Sequence, residues 1–313
     1  MTLLKITFLL VSTVCFSQNR STSTLRSHNY KSSCQAIIES DPPTQIANLY
    51  ARWDSSSPSN ILDENNVAAT QAGFTGKVRY WNDISGNNNN LECFRVDNSY
   101  NSSDLADYIP SNINSPVYLK DSEVVSSSET VPKELRSNSG FLLNSDFTFV
   151  FVMKANNAVI NDWNCFISSD NNSNDNESWQ FGWPVAIETD FETGVPVGNS
   201  PKTFCILGKS NNSRFSLNTG VPYDNQIHVW VIKVKYGATI ASSNLTISVD
   251  GNEIRNVNGV RVGMNMVKLF RNRNNDSKFN ASFYEFFTYN SLVSEQDIQN
   301  LSYWLACKWG VQI

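Results

Sequence analysis

Alternation of apolar and polar residues with a period of two constrains this chain's fold more than any other feature. Leu245, Ile247 and Val249 alternate with Thr246 and Ser248, and Ile232, Val234 and Tyr236 alternate with Lys233 and Lys235. This rhythm sends every second side chain to one face, the mark of a strand with one side buried. FTFVFVMKA (147–155) is apolar nearly throughout apart from Thr148, as a strand at the centre of a sandwich should be. IANLYARW (46–53), KVRYW (77–81), LECFRV (91–96), KTFCILGK (202–209), MVKLF (266–270) and FYEFFTY (283–289) also have strand character, and Asp250-Gly251 supplies a hairpin turn.

One helix closes the sequence. Ser294 is its cap, Asp297 is placed to return a bond to the cap's backbone amide, and Val293 and Ile298 occupy staple positions. Ile298, Leu301 and Leu305 share a face, and Gly310 is a left-handed terminator. No repeat of solenoid or propeller period is present. These elements predict an all-β sandwich of two antiparallel sheets with a short C-terminal helix.

Residues 1–17 have one cation, Lys5, before the apolar run ITFLLVSTVCF and a small-residue end, the layout of a secretory signal peptide. A polar linker is expected over 18–45 and a single domain over 46–313. No stretch reaches the roughly 20 apolar residues of a spanning helix. The net charge of −5 disfavours nucleic acid as a partner. Export places the protein outside the cell, in a periplasm or on a surface. Five cysteines follow the leader, an odd number that leaves a thiol unpaired, and at most one bridge is expected.

Two stretches, YWNDISGNNNNLE (80–92) and SFYEFFTYNSLVSEQDIQNLSYWLACKWG (282–310), resemble the opening and closing pieces of laminin-G-like domains of the concanavalin A-like lectin/glucanase superfamily. The resemblance covers about 46–313 and implies a jelly roll, reached independently from the strands. In the early motif Trp81 is expected to bury its ring while Asp83 and Ser85 bond turn amides that Gly86 permits. The alternative is that Asp83 and carbonyls of 87–90 hold calcium, as members of that group often do.

WPVAIETDFE contains the acidic triplet Glu188, Asp190 and Glu192. It resembles the catalytic strand of family-16 glucanases, which implies Glu188 as nucleophile, Asp190 as electrostatic helper and Glu192 as acid/base. On a straight strand the outer two lie ~13 Å apart at Cα, whereas a retaining pair needs ~5.5 Å, so the strand has to bend. The bland reading is a solvated acidic stretch. Trp179, Phe181 and Trp183 alternate onto one face, either the core or an exposed sugar platform. Arg261, Lys268, Arg271, Arg273 and Lys278 form a basic strip, either a strand edge that discourages aggregation or an attractor for anionic polysaccharide.

The chain lacks G-x-S-x-G, H-E-x-x-H and G-x-G-x-x-G. Leu207-Gly208-Lys209-Ser210 is no phosphate loop, because Thr203 stands where the first glycine is needed. The reading that follows is a non-catalytic module binding a polysaccharide or surface glycoprotein through loops at one sandwich edge, with Trp179, Trp183, Arg271 and Arg273 as candidate ligand residues. The alternative is a retaining polysaccharide hydrolase using the acidic triplet.

Overall fold

The computed structural model describes residues 34, 37–38, 40–95, 106–109, 124–128, 133–138, 140–142, 144–155, 165–169, 177–182, 190, 193, 203–210, 213–222, 224–270 and 280–313. The chain divides into two compact units, Met1–Asp41 and Pro42–Ile313. The leader and most of the linker lie outside the described residues. Within the first unit Cys34 is buried and disulfide-bonded. In the second unit Cys307 is disulfide-bonded, while Cys93, Cys165 and Cys205 are buried thiols in no disulfide.

Among the described residues the second unit is built from two antiparallel sheets of nine strands each. The first sheet runs in the order Asn252–Asn258, Asn244–Val249, Ile227–Lys235, Phe147–Ala155, Asn280–Tyr289, Val124–Ser128, Ala106–Ile109 and Lys77–Val78, with Leu49–Asp54 also paired to Asn280–Tyr289. The second runs Ser213–Pro222, Thr203–Ser210, Ser178–Gly182, Cys165–Ser168, Lys268–Leu269, Lys133–Arg136, Leu91–Arg95, Tyr80–Trp81 and Ile61–Leu62. Their inner faces meet through aromatic rings. Phe151 and Trp230 of the first sheet pack edge-on against Phe181 of the second at 5.2 and 4.7 Å, and Phe286 packs on Trp81 at 5.1 Å.

The Phe147–Ala155 strand lies between Ile227–Lys235 and Asn280–Tyr289, which explains its unbroken apolar run. Phe147, Phe149, Phe151 and Met153 enter the core between the sheets, while Val150 and Val152, also fully buried, point to the other side. There the Glu295–Trp309 helix covers the first sheet. Ser294 accepts the Asp297 amide at 3.1 Å, but Asp297 takes the Ser294 hydroxyl at 2.6 Å where the sequence led us to expect the cap's backbone amide. Gly310 ends the helix at φ 70°, and Val311 donates back to Ala306 O.

An ion cluster ties helix to sheet. Lys308 Nζ donates to Asp54 Oδ2 at 2.5 Å and to Glu285 Oε2 at 2.8 Å, and Trp309 Nε1 reaches the same Glu285 oxygen at 3.2 Å. Arg52 holds the other oxygen of Glu285 through Nε at 3.0 Å and Nη2 at 2.9 Å. Two acids and two bases balance, as buried charge requires. Burial raises the Asp54 carboxyl, but Lys308 and Arg52 outweigh it and hold it below its ordinary value. Glu285 is pushed up by burial and by Asp54. No helix among the described residues is long and apolar enough to cross a membrane.

Candidate functional site

The early motif is a staple. Trp81 is fully buried, and Asp83 Oδ1 accepts the amides of Arg52 and Ser85, each at 2.8 Å. Asp83 Oδ2 accepts Ser85 Oγ at 2.8 Å and the Asn89 amide at 3.0 Å. Asn87 and Asn89 donate to Tyr50 O, so the whole turn clasps the Leu49–Asp54 strand. A cation at Asp83 would have to displace four protein donors.

Of the two placements open to the alternating aromatics, Trp179 and Phe181 take the core, at 1% and 0% exposure. Trp179 packs against Phe149 at 6.0 Å and offers no face to a sugar. The reason is register: Trp179 and Phe181 point inward, and Ser178 and Gln180 alternate with them. Trp183, Arg271 and Arg273 lie outside the described residues. The described members of the basic strip are committed to acids. Arg261 pairs with Glu177 at 2.5 Å and lies over the Tyr236 ring, and Lys268 is 1% exposed, 3.7 Å from Glu134. Lys268 is thus a buried ion-pair member, neither a solvated edge residue nor an attractor for polymer.

Within the acidic triplet only Asp190 is described. It is outside any strand and is 3% exposed. Its Oδ1 accepts the Thr193 amide at 3.0 Å and its Oδ2 the Asn218 amide at 2.8 Å, while Arg255 Nη2 reaches both oxygens at 3.1 and 3.2 Å. Burial raises this carboxyl, but the amides and Arg255 outweigh it and hold it below its ordinary value. Asp190 closes a turn and joins the edge strands of the two sheets, so the strand geometry expected of the triplet does not apply at its position. Glu188 and Glu192 lie outside the described residues.

None of the described candidates, Asp83, Trp179, Asp190, Arg261 and Lys268, lines the polar cleft at one end of the sandwich. That cleft, of about 260 Å³, is lined by Lys154, Asn225 to His228, Asp250 and the Gly310–Gln312 segment beyond the helix. Asn225 adopts φ 60° in the turn that feeds the Ile227–Lys235 strand, and Asp250 and Gly251 adopt φ 49° and 80° in the hairpin turn. That pair of positive φ values is the geometry the Asp-Gly dipeptide predicted. Pairing of Trp230 with Val249 carries Asp250 alongside Val229, whose amide donates to Asp250 Oδ1 at 2.8 Å. Neighbouring His228 then sets Nδ1 2.6 Å from Asp250 Oδ2, with Nε2 3.2 Å from Asp224 Oδ1. Burial lowers the imidazole's pKa, but Asp250 and Asp224 outweigh it and hold it above the ordinary value.

With His228 protonated, its charge and that of Lys154 balance Asp224 and Asp250. Asp250 lies in the cleft lining and Asp224 just behind it at the far ring nitrogen, and the lining is rich in amide donors and acceptors. The two carboxylates face opposite ring nitrogens, and among the described residues no three such side chains converge on one metal position. No sequence motif marks His228. The signal that finds it is the hairpin register, which brings Asp250 back beside the start of the preceding strand.

No protein-family model matches the sequence, and no curated protein does. Among solved structures, the chain is similar to a GH54 α-L-arabinofuranosidase mutant soaked with 4-nitrophenyl α-L-arabinofuranoside, at TM-score 0.55 and 14% identity over 83% of this chain and 63% of that one. Domain 4 of AbnA, a GH43 extracellular arabinanase from Geobacillus stearothermophilus in complex with arabinotriose, gives TM-score 0.49 and 14% identity over 82% and 98%. The binding domain of Paraclostridial Mosquitocidal Protein 1 gives 0.49 and 15% over 82% and 52%, so the chain spans about half the length of that toxin structure. At these identities the likeness to the GH54 structure establishes a shared all-β fold and nothing finer.

Proposed function

We propose that the protein is a secreted or surface-associated recognition module of laminin-G-like sandwich fold that binds a glycan, free or carried on a surface glycoprotein, in the cleft beside His228. The observation that carries this reading is the cleft's lining. Asn225, Gln226 and Gln312 bring side-chain amides, which bond vicinal hydroxyls as both donor and acceptor. The balanced charges favour a neutral polyhydroxyl ligand over an ion. A volume of about 260 Å³ falls just under the roughly 300 Å³ at which drug-sized ligand clefts begin, a size for one terminal sugar ring. Sharing a fold with a carbohydrate-active structure supports the reading by analogy alone. The hydrolase alternative rests on Glu188 and Glu192 and finds no support in the clamped Asp190.

The test is calorimetric titration with neutral arabino-, xylo-, manno- and gluco-oligosaccharides at pH 6. Binding by at least one class, weakened about tenfold or more in a Gln226→Ala, Gln312→Ala double variant, is the expected result; loss of one or two hydrogen bonds to a buried ligand costs about 1–3 kcal/mol. Retention of full affinity by that variant refutes the cleft as the site.

A further inference from the structure

The cleft has a built-in pH dependence that follows from what His228 joins. Asp224 belongs to the turn before the Ile227–Lys235 strand, and Asp250 belongs to the hairpin turn after Asn244–Val249. One imidazole spans the two, with a carboxylate oxygen at each nitrogen. We propose that His228 is a proton-operated latch between the two turns that wall the cleft, closed while the ring carries both protons and released when one is lost. This inference rests on the cleft being the binding site, and it adds the regulation of that site.

The argument is one of donors and acceptors. An imidazolium donates from both nitrogens, and both carboxylates accept. A neutral imidazole keeps one proton, so one nitrogen must turn a lone pair toward a carboxylate oxygen, which repels it. The bond at 3.2 Å to Asp224 is the longer, and Asp224 is the more exposed partner, so the turn at 224–226 is the side that lets go. Asp250 stays anchored by the Val229 amide. Asp224 Oδ1 also accepts the Gln226 amide at 2.9 Å, so release of Asp224 is transmitted to a residue that lines the cleft.

The charged groups around the ring are few. Asp224 faces it from the turn and Asp250 from the hairpin. Lys154, at the end of the Phe147–Ala155 strand, pairs with Ile227 and lines the cleft from the sheet face opposite the ring. Gly310, Val311 and Gln312 carry no titrating side chain. Phe204 and Trp230 close the inner side at 6.3 and 6.0 Å from the ring. The two acids outweigh burial, and the ring's pKa lies above its ordinary value. A folded-state pKa raised in this way gives a stabilisation fully present below the unfolded value of about 6.5 and lost as pH rises through the folded value. The latch is therefore shut in mildly acidic medium and opens toward alkaline pH.

The direct test needs no ligand. In full-length protein, the His228 ring signals and the backbone amides of Asn225 and Gln226 are followed by NMR from pH 5 to 9. The proposal expects one shared midpoint, above that of an exposed histidine, and expects Asp224→Asn to lower it while Asp250→Asn lowers it further. Turn amides that stay still while His228 titrates overturn it. The second arm titrates the neutral oligosaccharide panel at pH 5.5 and 8.5. Binding at least about fivefold weaker at the higher pH, near the lower end of usual coupling strengths, and a flat pH profile in His228→Gln, support the latch. Equal affinity at both values overturns it. If no sugar binds at either pH, the binding-site reading falls, and the NMR arm still decides whether the two turns are coupled through His228.

Discussion

Lys308 is the residue on which the attachment of the helix depends. Its ammonium bridges Asp54 and Glu285 and lies 5.0 Å from the Trp304 ring centre and 5.1 Å from that of Trp309. Burial opposes its charge, but the two carboxylates outweigh burial and raise its pKa. Replacing Lys308 with Met leaves two buried carboxylates to Arg52 alone, and breaking a buried ion cluster in this way costs about 3–5 kcal/mol. Urea unfolding should show that loss, and the double variant Lys308→Met, Glu285→Gln should recover part of it by removing the acid left uncompensated. Equal stabilities of the single and double variants would refute the charge-balance account. The closing sequence stretch is visible in the chain as Lys308-Trp309-Gly310 at the end of the helix, but its partners are not. Asp54 is 254 positions away from Lys308, and no local pattern links residues at that distance. Asp190 misled for the same reason. As sequence it is the middle of an acidic triplet, and in the fold it answers to Arg255, 65 positions on.

At the level of strands and turns, legibility followed periodicity. The strands with alternating Val, Ile, Leu and Phe announced themselves, and so did the Asp250-Gly251 hairpin. Val124–Ser128 did not, since VVSSS has too few apolar positions to establish a period, and in Ser213–Pro222 the alternation of Phe215, Leu217 and Val221 is interrupted by Asn218, Thr219 and Gly220, which read as a turn. Gly208 shows how an element's environment assigns a meaning that its sequence neighbours conceal. It lies in the Thr203–Ser210 strand between Trp179 and Phe215 on the adjacent strands, with no part in phosphate binding. A Cβ there would come within 2.2 Å of Ser178 O and 2.7 Å of the Phe215 ring. The aromatic ring fills the space the glycine leaves, a known way of supporting glycine in a sheet. Gly208→Ala must move backbone as well as ring, so a destabilisation of about 3 kcal/mol is expected, at the upper end of the usual cost of overpacking. Gly208→Ala combined with Phe215→Leu should regain only the part due to the ring. Thermal melts of the two variants separate these contributions, and an unchanged melt for the single variant would show that the strands are not held at this spacing.

For the second unit as a whole, the first sheet is buried on both sides, between the second sheet and the terminal helix, and this arrangement joins stability to the cleft. Val150, Val152, Val229, Val231, Phe287 and Tyr289 are each at most 1% exposed and lie outside the cluster between the sheets. At roughly 1.5–3 kcal/mol for each buried side chain of this kind, the six supply about 9–18 kcal/mol of gross burial, as large as the ~5–15 kcal/mol net margin by which a typical domain is stable. Removing 291–313 uncovers this face, takes Lys308 from Asp54 and Glu285, and deletes the cleft wall at 310–312. The truncated chain should therefore lose its cooperative unfolding transition and bind a hydrophobic dye, while keeping strand signal in the far-ultraviolet spectrum. A shorter cut after Gly310 tests the separation of the two roles. It spares Lys308, Trp309 and the left-handed Gly310, so the melting transition should survive with only the modest loss due to buried Val311 and its bond to Ala306 O, whereas glycan binding should fall with the loss of Gln312. If both cuts abolish folding, the cleft wall is also a structural element, and point variants at Gln312 become the means of assigning its role in binding.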